Sequence, residues 1–192
     1  MIKKWNRFYF SMGRRQKNRT GSIFLALVLA GCGYTTHSAL PGNLRTVYVK
    51  PFINKIDITT EVTDRSRYKI YRPLLESQIS NTIISAFQAD GHLRVASPQR
   101  ADAVLMGELL DFRRDALRYD RNNNVEEYRL SIVVNLELRD AHSGQVIWDE
   151  QSFIGDTTFF VTGALAEVEP PALDRAVKDL ARRVVERTVE GW

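Results

Sequence analysis

Apolar and polar residues alternate most regularly between positions 128 and 138, which predicts a long strand with one buried face. The apolar set is Tyr128, Leu130, Ile132, Val134, Leu136 and Leu138. The turn-rich segment 140–144 follows, and the apolar segment 146–148 then predicts a returning strand and an antiparallel hairpin. An earlier apolar run, 103–112, predicts a strand buried on both faces, in which Gly107 permits a bulge or the close approach of another group.

Two further segments repeat their apolar residues at helical spacing. Pro73 suits a first helical turn, and Gly91 is typical of a helix end. Between them the apolar positions recur every four residues, at Leu75, Ile79, Ile83 and Phe87. A polar connection from Gly155 is expected to lead past Pro170 and Pro171 into a second helix. Its apolar face consists of Leu173, Val177, Leu180, Ala181, Val184 and Val185.

The remaining elements are short. Segment 46–52 is rich in β-branched and aromatic residues and predicts a first strand, while 93–95 predicts a brief one. Segment 54–69 is polar and charged without a sustained period, which predicts a long loop. Because two helices with one apolar face each need one sheet face to cover, we predict an α+β fold. It is a mostly antiparallel sheet of about four strands with two helices packed on one face.

The N-terminal region has a different pattern. A basic stretch precedes a short apolar run at 23–30, well below the roughly 20 residues that span a bilayer. The run ends in Leu29-Ala30-Gly31-Cys32, which resembles a bacterial lipobox. We therefore predict a lipoprotein signal peptide over residues 1–31, with translation starting at Met1 or Met12.

Cys32 is the only cysteine of the chain and is the predicted lipidation site. Two or more acyl chains on Cys32 would hold the protein stably on a membrane, whereas a single chain anchors marginally. Gly33 stands where an aspartate would favour inner-membrane retention, so the expected location is the periplasmic face of the outer membrane. Residues 32–44 would form the acylated N-terminus and a short tether, and residues 45–192 a single α+β domain.

The charge of the mature chain excludes one class of function. The whole chain has 27 Lys and Arg against 23 Asp and Glu, but seven of the cations and none of the acidic residues precede Cys32. Removing those seven leaves 20 cations against 23 acidic residues, a net charge of about −3. This balance gives no electrostatic basis for nucleic-acid binding.

No motif predicts enzyme activity. The three histidines have no second metal ligand at a neighbouring spacing, and the chain has no nucleophile elbow and no phosphate-binding glycine loop. We therefore expect neither a catalytic site nor a metal site, and no cofactor apart from the acyl chains on Cys32.

A cluster of arginines is the main candidate for ligand binding. Four of them, Arg113, Arg114, Arg118 and Arg121, are the candidate ligand-binding residues, with Arg129 close by in sequence. Guanidinium groups at a hairpin end would suit phosphate or another anionic partner. The alternative is a solvated hairpin whose arginines are balanced by Asp111, Asp115, Asp120, Glu126 and Glu127.

Several stretches together resemble the LptE-type lipopolysaccharide-assembly lipoproteins. They are Gly31-Cys32-Gly33-Tyr34, Leu40-Pro41, the segment 49–54, Asp90-Gly91-His92-Leu93-Arg94-Val95 and the segment 101–107. The resemblance implies a non-enzymatic outer-membrane lipoprotein that plugs a large β-barrel translocon, which inserts lipopolysaccharide into the outer leaflet. Members are thought to bind lipopolysaccharide, and their fold is two helices against a four-stranded sheet. Only Cys32 is carried over as a single position.

A second class of outer-membrane lipoprotein shares part of this pattern. Regulators of cell-wall synthases and components of curli-type secretion pores have a similar first strand, helix and Ala-Asp-x-x-Leu-x-Gly stretch, which here is 101–107. Regulators tend to carry a long linker after the acylated cysteine. Here about a dozen residues separate Cys32 from the first strand, a reach of roughly 40 Å when fully extended. The short tether favours the assembly lipoprotein.

Overall fold

Three long antiparallel strands form most of the sheet. In the computed structural model, which describes residues 44–56, 67–69 and 72–190, they are β5 (Ala103–Tyr119), β6 (Val125–Asp140) and β7 (Val146–Phe160). Leu138 of β6 pairs with Leu105 on one side and with Trp148 on the other. The apolar positions from Leu130 to Leu138 are buried as the alternation predicts, but Ser131 and Val133 on the opposite face are buried as well. The predicted hairpin is confirmed.

Four short strands complete a seven-stranded sheet: β1 (Thr46–Val49), β2 (Ile53–Asn54), β3 (Arg67–Lys69) and β4 (Arg94–Val95). The order is β4-β1-β5-β6-β7, with β2 and β3 also pairing with β5. β1 is parallel to β4 and β5, and β2 is parallel to β5, whereas β3 is antiparallel to it. The sheet is thus mixed.

The predicted sheet differs from the structure in two details: the sheet of the structure has seven strands instead of about four, and three of its short pairings are parallel. A helix connects β1 to β4 and β5, and such a crossover returns the chain in the same direction, which makes these pairs parallel. Strands of two or three residues are too short to show a period. The predicted loop 54–69 is wrong at β3, whereas residues 57–66 lie outside the described ranges.

The two predicted helices are α1 (Leu75–Asp90) and α2 (Glu169–Glu190). Gly91 adopts a left-handed conformation with φ 81°, and its N–H donates to the Phe87 carbonyl at 3.1 Å, as predicted for the end of α1. Both helices bury their apolar faces in one core with β1, β5, β6 and β7. The α+β class and the two helices are confirmed. Among the described residues, neither helix has an apolar stretch that could cross a membrane.

Two glycines let other groups lie directly on the sheet. At Gly107 the Phe52 ring occupies the space of a side chain, which confirms the predicted close approach. At Gly155 the backbone of α2 does the same, since an added Cβ would lie 2.7 Å from the Cα of Leu180. The expected polar connection from Gly155 is therefore wrong: β7 continues to Phe160, and the glycine belongs to its helix-packed face.

The edge of β7 is covered rather than open. Arg183 donates to the Ile154 carbonyl at 2.7 Å, and Arg175 donates to the Thr158 carbonyl at 3.2 Å. The N–H of Asp156 donates to the Asp179 carboxylate at 3.3 Å. Side chains of α2 thus satisfy backbone groups that another strand could otherwise pair with.

Asp102 ties the other end of the sheet together. One carboxylate oxygen accepts from the Thr46 hydroxyl at 2.7 Å and from the N–H groups of Thr46 and Arg45 at 2.9 and 3.0 Å. These hydrogen bonds, above all that from the Thr46 hydroxyl, lower the pKa of the Asp102 carboxyl. Asp102 thereby fixes the start of β1 beside the start of β5.

Candidate functional site

The arginine cluster lies at the end of the sheet where β5 and β6 join. Because neighbouring residues of a strand point to opposite faces, Arg113 and Arg114 are directed to different surroundings. Arg114 pairs with Leu130, which is in the core, whereas Arg113 pairs with Ser131. The structure therefore divides the four candidates among three settings: the helix-covered face, the opposite face, and the hairpin end.

Arg114 packs against the core and bonds to α2. Its Nη1 lies 2.9 Å from a carboxylate oxygen of Glu169, and its guanidinium lies over the Tyr128 ring, 4.7 Å from the centroid. Glu169 also bonds to Arg72 at 3.3 Å. As the first residue of α2, Glu169 is favoured by the helix dipole as well. Arg114 thus joins β5 to the start of α2.

Arg113 lies on the face away from the helices, between two carboxylates of its own strand. Its guanidinium is 3.6 Å from Asp111 and 3.4 Å from Asp115. These are the acidic neighbours that the solvated-hairpin alternative named. An anionic ligand at Arg113 would have to compete with both carboxylates.

Arg118 and Arg121 are the most accessible of the four. The Arg118 side chain is 59% exposed, pairs with Glu127 at 3.4 Å and lies over the Phe160 ring at 5.5 Å. Arg121 is exposed in the connecting turn, and in the described ranges it forms no hydrogen bond or ion pair. The turn is ordered by Asp120, whose carboxylate accepts from the Asn124 side chain and from two backbone N–H groups. These bonds lower the pKa of Asp120.

Some of the residues that pair with the arginine cluster lie far from it in the sequence. Arg129 of β6 lies 3.7 Å from the Asp156 carboxylate of β7, and Arg114 bonds to Glu169. No local spacing signals either contact, because each depends on how β7 and α2 are placed. The chemistry available at this end is electrostatic, since no group of three or more potential metal ligands occurs among the described residues.

A second feature of this end, which the sequence pattern did not predict, is a set of exposed aliphatic side chains. Leu74, Leu165 and Val168 are 71%, 74% and 68% exposed. We call them the distal aliphatic set. Leu74 also has a left-handed φ of 64°, which is rare for a bulky residue. Arg72 and Glu169, which bond to each other, place Leu74 and Val168 at the same end of the domain.

A comparison with protein families decides the family of the chain. The family model described as "LptE: Lipopolysaccharide-assembly" matches residues 44–188. The chain belongs to the LptE family. The resemblance seen in the sequence is therefore confirmed, and with it the assignment to lipoproteins of lipopolysaccharide assembly. The LptE match includes the whole arginine hairpin, all of α1, and α2 as far as Thr188.

Solved structures resemble the LptE-family domain only at low identity. A hypothetical protein from Chlamydia trachomatis has a TM-score of 0.48 and 15% identity, covering 78% of this chain and 97% of its own. The PelC dodecamer from Paraburkholderia phytofirmans has a TM-score of 0.39 and 18% identity, covering 74% and 93%. A minor lipoprotein from Acinetobacter baumannii gives 0.43 and 13%, covering 77% and 92%. No curated protein sequence matches the chain.

Proposed function

We propose that this LptE-family lipoprotein associates with and plugs a large outer-membrane β-barrel translocon, and so helps to assemble lipopolysaccharide in the outer leaflet. The observation that carries the proposal is the family match across residues 44–188, which includes every described strand and helix except the last turn of α2. The role is one of binding and positioning, without a catalytic step.

Acyl chains on Cys32 would hold the domain at the periplasmic face of the outer membrane. The tether that follows joins the fold at Leu44, beside the Asp102 hydrogen bonds. Eleven residues lie between Cys32 and Leu44, so the chain between them can reach at most roughly 40 Å. The end of the domain that contains Leu44 is therefore expected to stay on the side of the inner-leaflet surface.

The length of the sheet suits a domain that enters a barrel. β5 has 17 residues, so it extends over roughly 55 Å. The hydrocarbon core of a bilayer is about 30 Å thick. A domain held at Leu44 by the periplasmic mouth of a barrel could thus reach well into the lumen. Since α2 covers the edge of β7 from Ile154 to Thr158, we expect side chains and loops, not this edge, to meet the wall.

Lipopolysaccharide contact is the second part of the proposal, and Arg113, Arg114, Arg118 and Arg121 remain its candidate residues. Their surroundings rank them, because Arg118 and Arg121 are exposed whereas Arg114 bonds to Glu169 and Arg113 lies between two carboxylates. We expect Arg118→Glu with Arg121→Glu to weaken binding of purified lipopolysaccharide more at low salt than at high salt. Lys178→Glu with Arg182→Glu, at two exposed positions of α2, is the control with the same change in net charge. If the wild type, the hairpin variant and the control bind lipopolysaccharide equally, the hairpin is not part of the lipopolysaccharide-binding site.

The function itself is tested by depleting the chain from its host cells. The proposal predicts that lipopolysaccharide at the cell surface falls and that the full-length chain restores it. A Cys32→Ala chain, which cannot be acylated, should restore much less. Normal surface lipopolysaccharide after complete depletion would contradict the proposal.

A further inference from the structure

The exposed surface of α1 carries no charge between its first turn and its last residue, Asp90, in contrast to the exposed surface of α2. Between Ser77 and Ala89 the helix has no Asp, Glu, Lys or Arg. Its exposed side chains, which we call the uncharged face, are Ser77, Asn81, Ser85, Gln88 and Ala89. In α2, by contrast, every exposed residue from Asp174 to Glu190 is charged. Removing water from the uncharged face of α1 thus costs less free energy than removing it from the charged face of α2, provided that its polar side chains find hydrogen-bond partners.

The uncharged face continues into the distal aliphatic set. Leu74 immediately precedes α1, and together with Ser77, Asn81 and Ser85 it lines a shallow groove whose only charged lining residue is Lys178. Leu74 is both exposed and in a left-handed conformation. Strained backbone of this kind persists where the surrounding structure or a function requires it. An uncharged strip therefore runs along α1 from the exposed Leu74 to Ala89, and it stops at Asp90, which is exposed and charged.

We propose that this strip, the uncharged face with Leu74, is the surface that packs against the inner wall of the barrel. The assignment rests on the proposed function and specifies which side of the domain meets the partner. Interface centres are depleted of charged residues, and the lumen of an outer-membrane barrel is lined by polar side chains. Ser, Asn and Gln side chains can exchange hydrogen bonds with such a wall without matching charges across it.

The tether supports the same orientation. Gly91, at the end of α1, precedes β4, and β4 pairs with the start of β1 just after Leu44. The C-terminal end of α1 is therefore the end that the tether holds on the side of the inner-leaflet surface. Sixteen helical residues extend about 24 Å from there. This length covers most of the roughly 30 Å of a bilayer core, so the strip would follow the wall for most of its height.

The test compares two double variants of the full-length, tagged chain in host membranes. Asn81→Arg with Ser85→Arg places charges on the uncharged face. Gln99→Arg with Gln145→Arg places the same charges on exposed positions away from α1, at the end of the sheet that contains Leu44. Thermal unfolding of both proteins should match the wild type. Because burying unpaired charges opposes binding, we expect the Asn81→Arg, Ser85→Arg chain to recover at least about tenfold less of the barrel than the wild type. The Gln99→Arg, Gln145→Arg chain should recover as much as the wild type.

A photocrosslinker at position 81 gives an independent readout and should join the chain to the barrel. Undiminished barrel recovery by the Asn81→Arg, Ser85→Arg chain would overturn the assignment while leaving the proposed function standing. Crosslinks from position 81 to a second copy, or to lipid alone, would overturn it as well. If the wild-type chain recovers no barrel, both the proposed function and the assignment of this surface are wrong.

Discussion

Arg114 and Glu169 are 55 residues apart in sequence, and their side chains meet at 2.9 Å. Through this contact β5 holds the first residue of α2. Both side chains are less than one-third exposed, and the guanidinium also lies over Tyr128. An arginine that the sequence offers as a ligand contact is thus also a structural link between the sheet and its second helix.

Arg114→Ala should therefore lower stability, whereas Arg121→Ala should not. Among the described residues, removing Arg114 leaves Glu169 with the longer bond to Arg72 alone, so we expect the free energy of unfolding to fall by about 1 to 3 kcal/mol. Exposed Arg121 should change it by less than about 0.5 kcal/mol. Urea unfolding of the two variants gives the comparison, and equal stabilities would contradict the structural role of Arg114.

Gly155→Ala should be more damaging than an alanine in an open turn. The new Cβ would meet the backbone of α2 at Leu180, which can be relieved only by moving the helix from the sheet. We expect a loss of about 1 to 3 kcal/mol from overpacking. Gly144→Ala has open space around it and should cost about 1 kcal/mol through its positive φ alone. A Gly155→Ala protein as stable as wild type would mean that α2 does not lie this close.

Asp102 should make stability depend on pH in the acid range. Because the native hydrogen bonds lower its pKa below 3.8, the ionised carboxylate stabilises the folded state above that value. This contribution is lost as the pH falls through the native pKa. Asp102→Asn should be less stable than wild type by about 1 kcal/mol at pH 7. The difference should shrink as the pH falls through the native pKa of Asp102, because the wild-type carboxyl then becomes protonated, whereas the other carboxylates titrate in both proteins and cancel. A difference that stays constant with pH would argue against linkage to Asp102.

The arginines of α2 should protect the chain from edge pairing. Arg175→Ala with Arg183→Ala frees the carbonyl groups of Thr158 and Ile154, and an exposed strand edge promotes association. We expect the double variant to form dimers or larger species in light scattering at concentrations where wild type is monodisperse. Arg182→Ala, which removes only pairs within α2, is the control. A monodisperse double variant would show that the edge is covered by other means.

The core elements could be predicted because their apolar residues recur at regular spacing. Contacts between residues far apart in the sequence could not be predicted. The alternation from Tyr128 to Leu138 and the four-residue spacing in α1 each mark one buried face, so they identified the long strand and the helix. β2 and β3 are too short to have a period, and their pairing with β5 is set by tertiary structure. At the candidate site the clustering of arginines was visible. Their division between structural and exposed roles depends on Glu169 and Asp156, which fold in from elsewhere.

Copurification from native membranes would show whether the chain binds a large outer-membrane barrel. The full-length chain, tagged at its C-terminus, would be extracted from its host's outer membrane and its partners identified and quantified by mass spectrometry. We expect one large outer-membrane β-barrel in equal amount, together with an acylated Cys32 as the first residue of the mature chain. Recovery of a cell-wall synthase, of a secretion pore or of self-copies alone would contradict the proposed function.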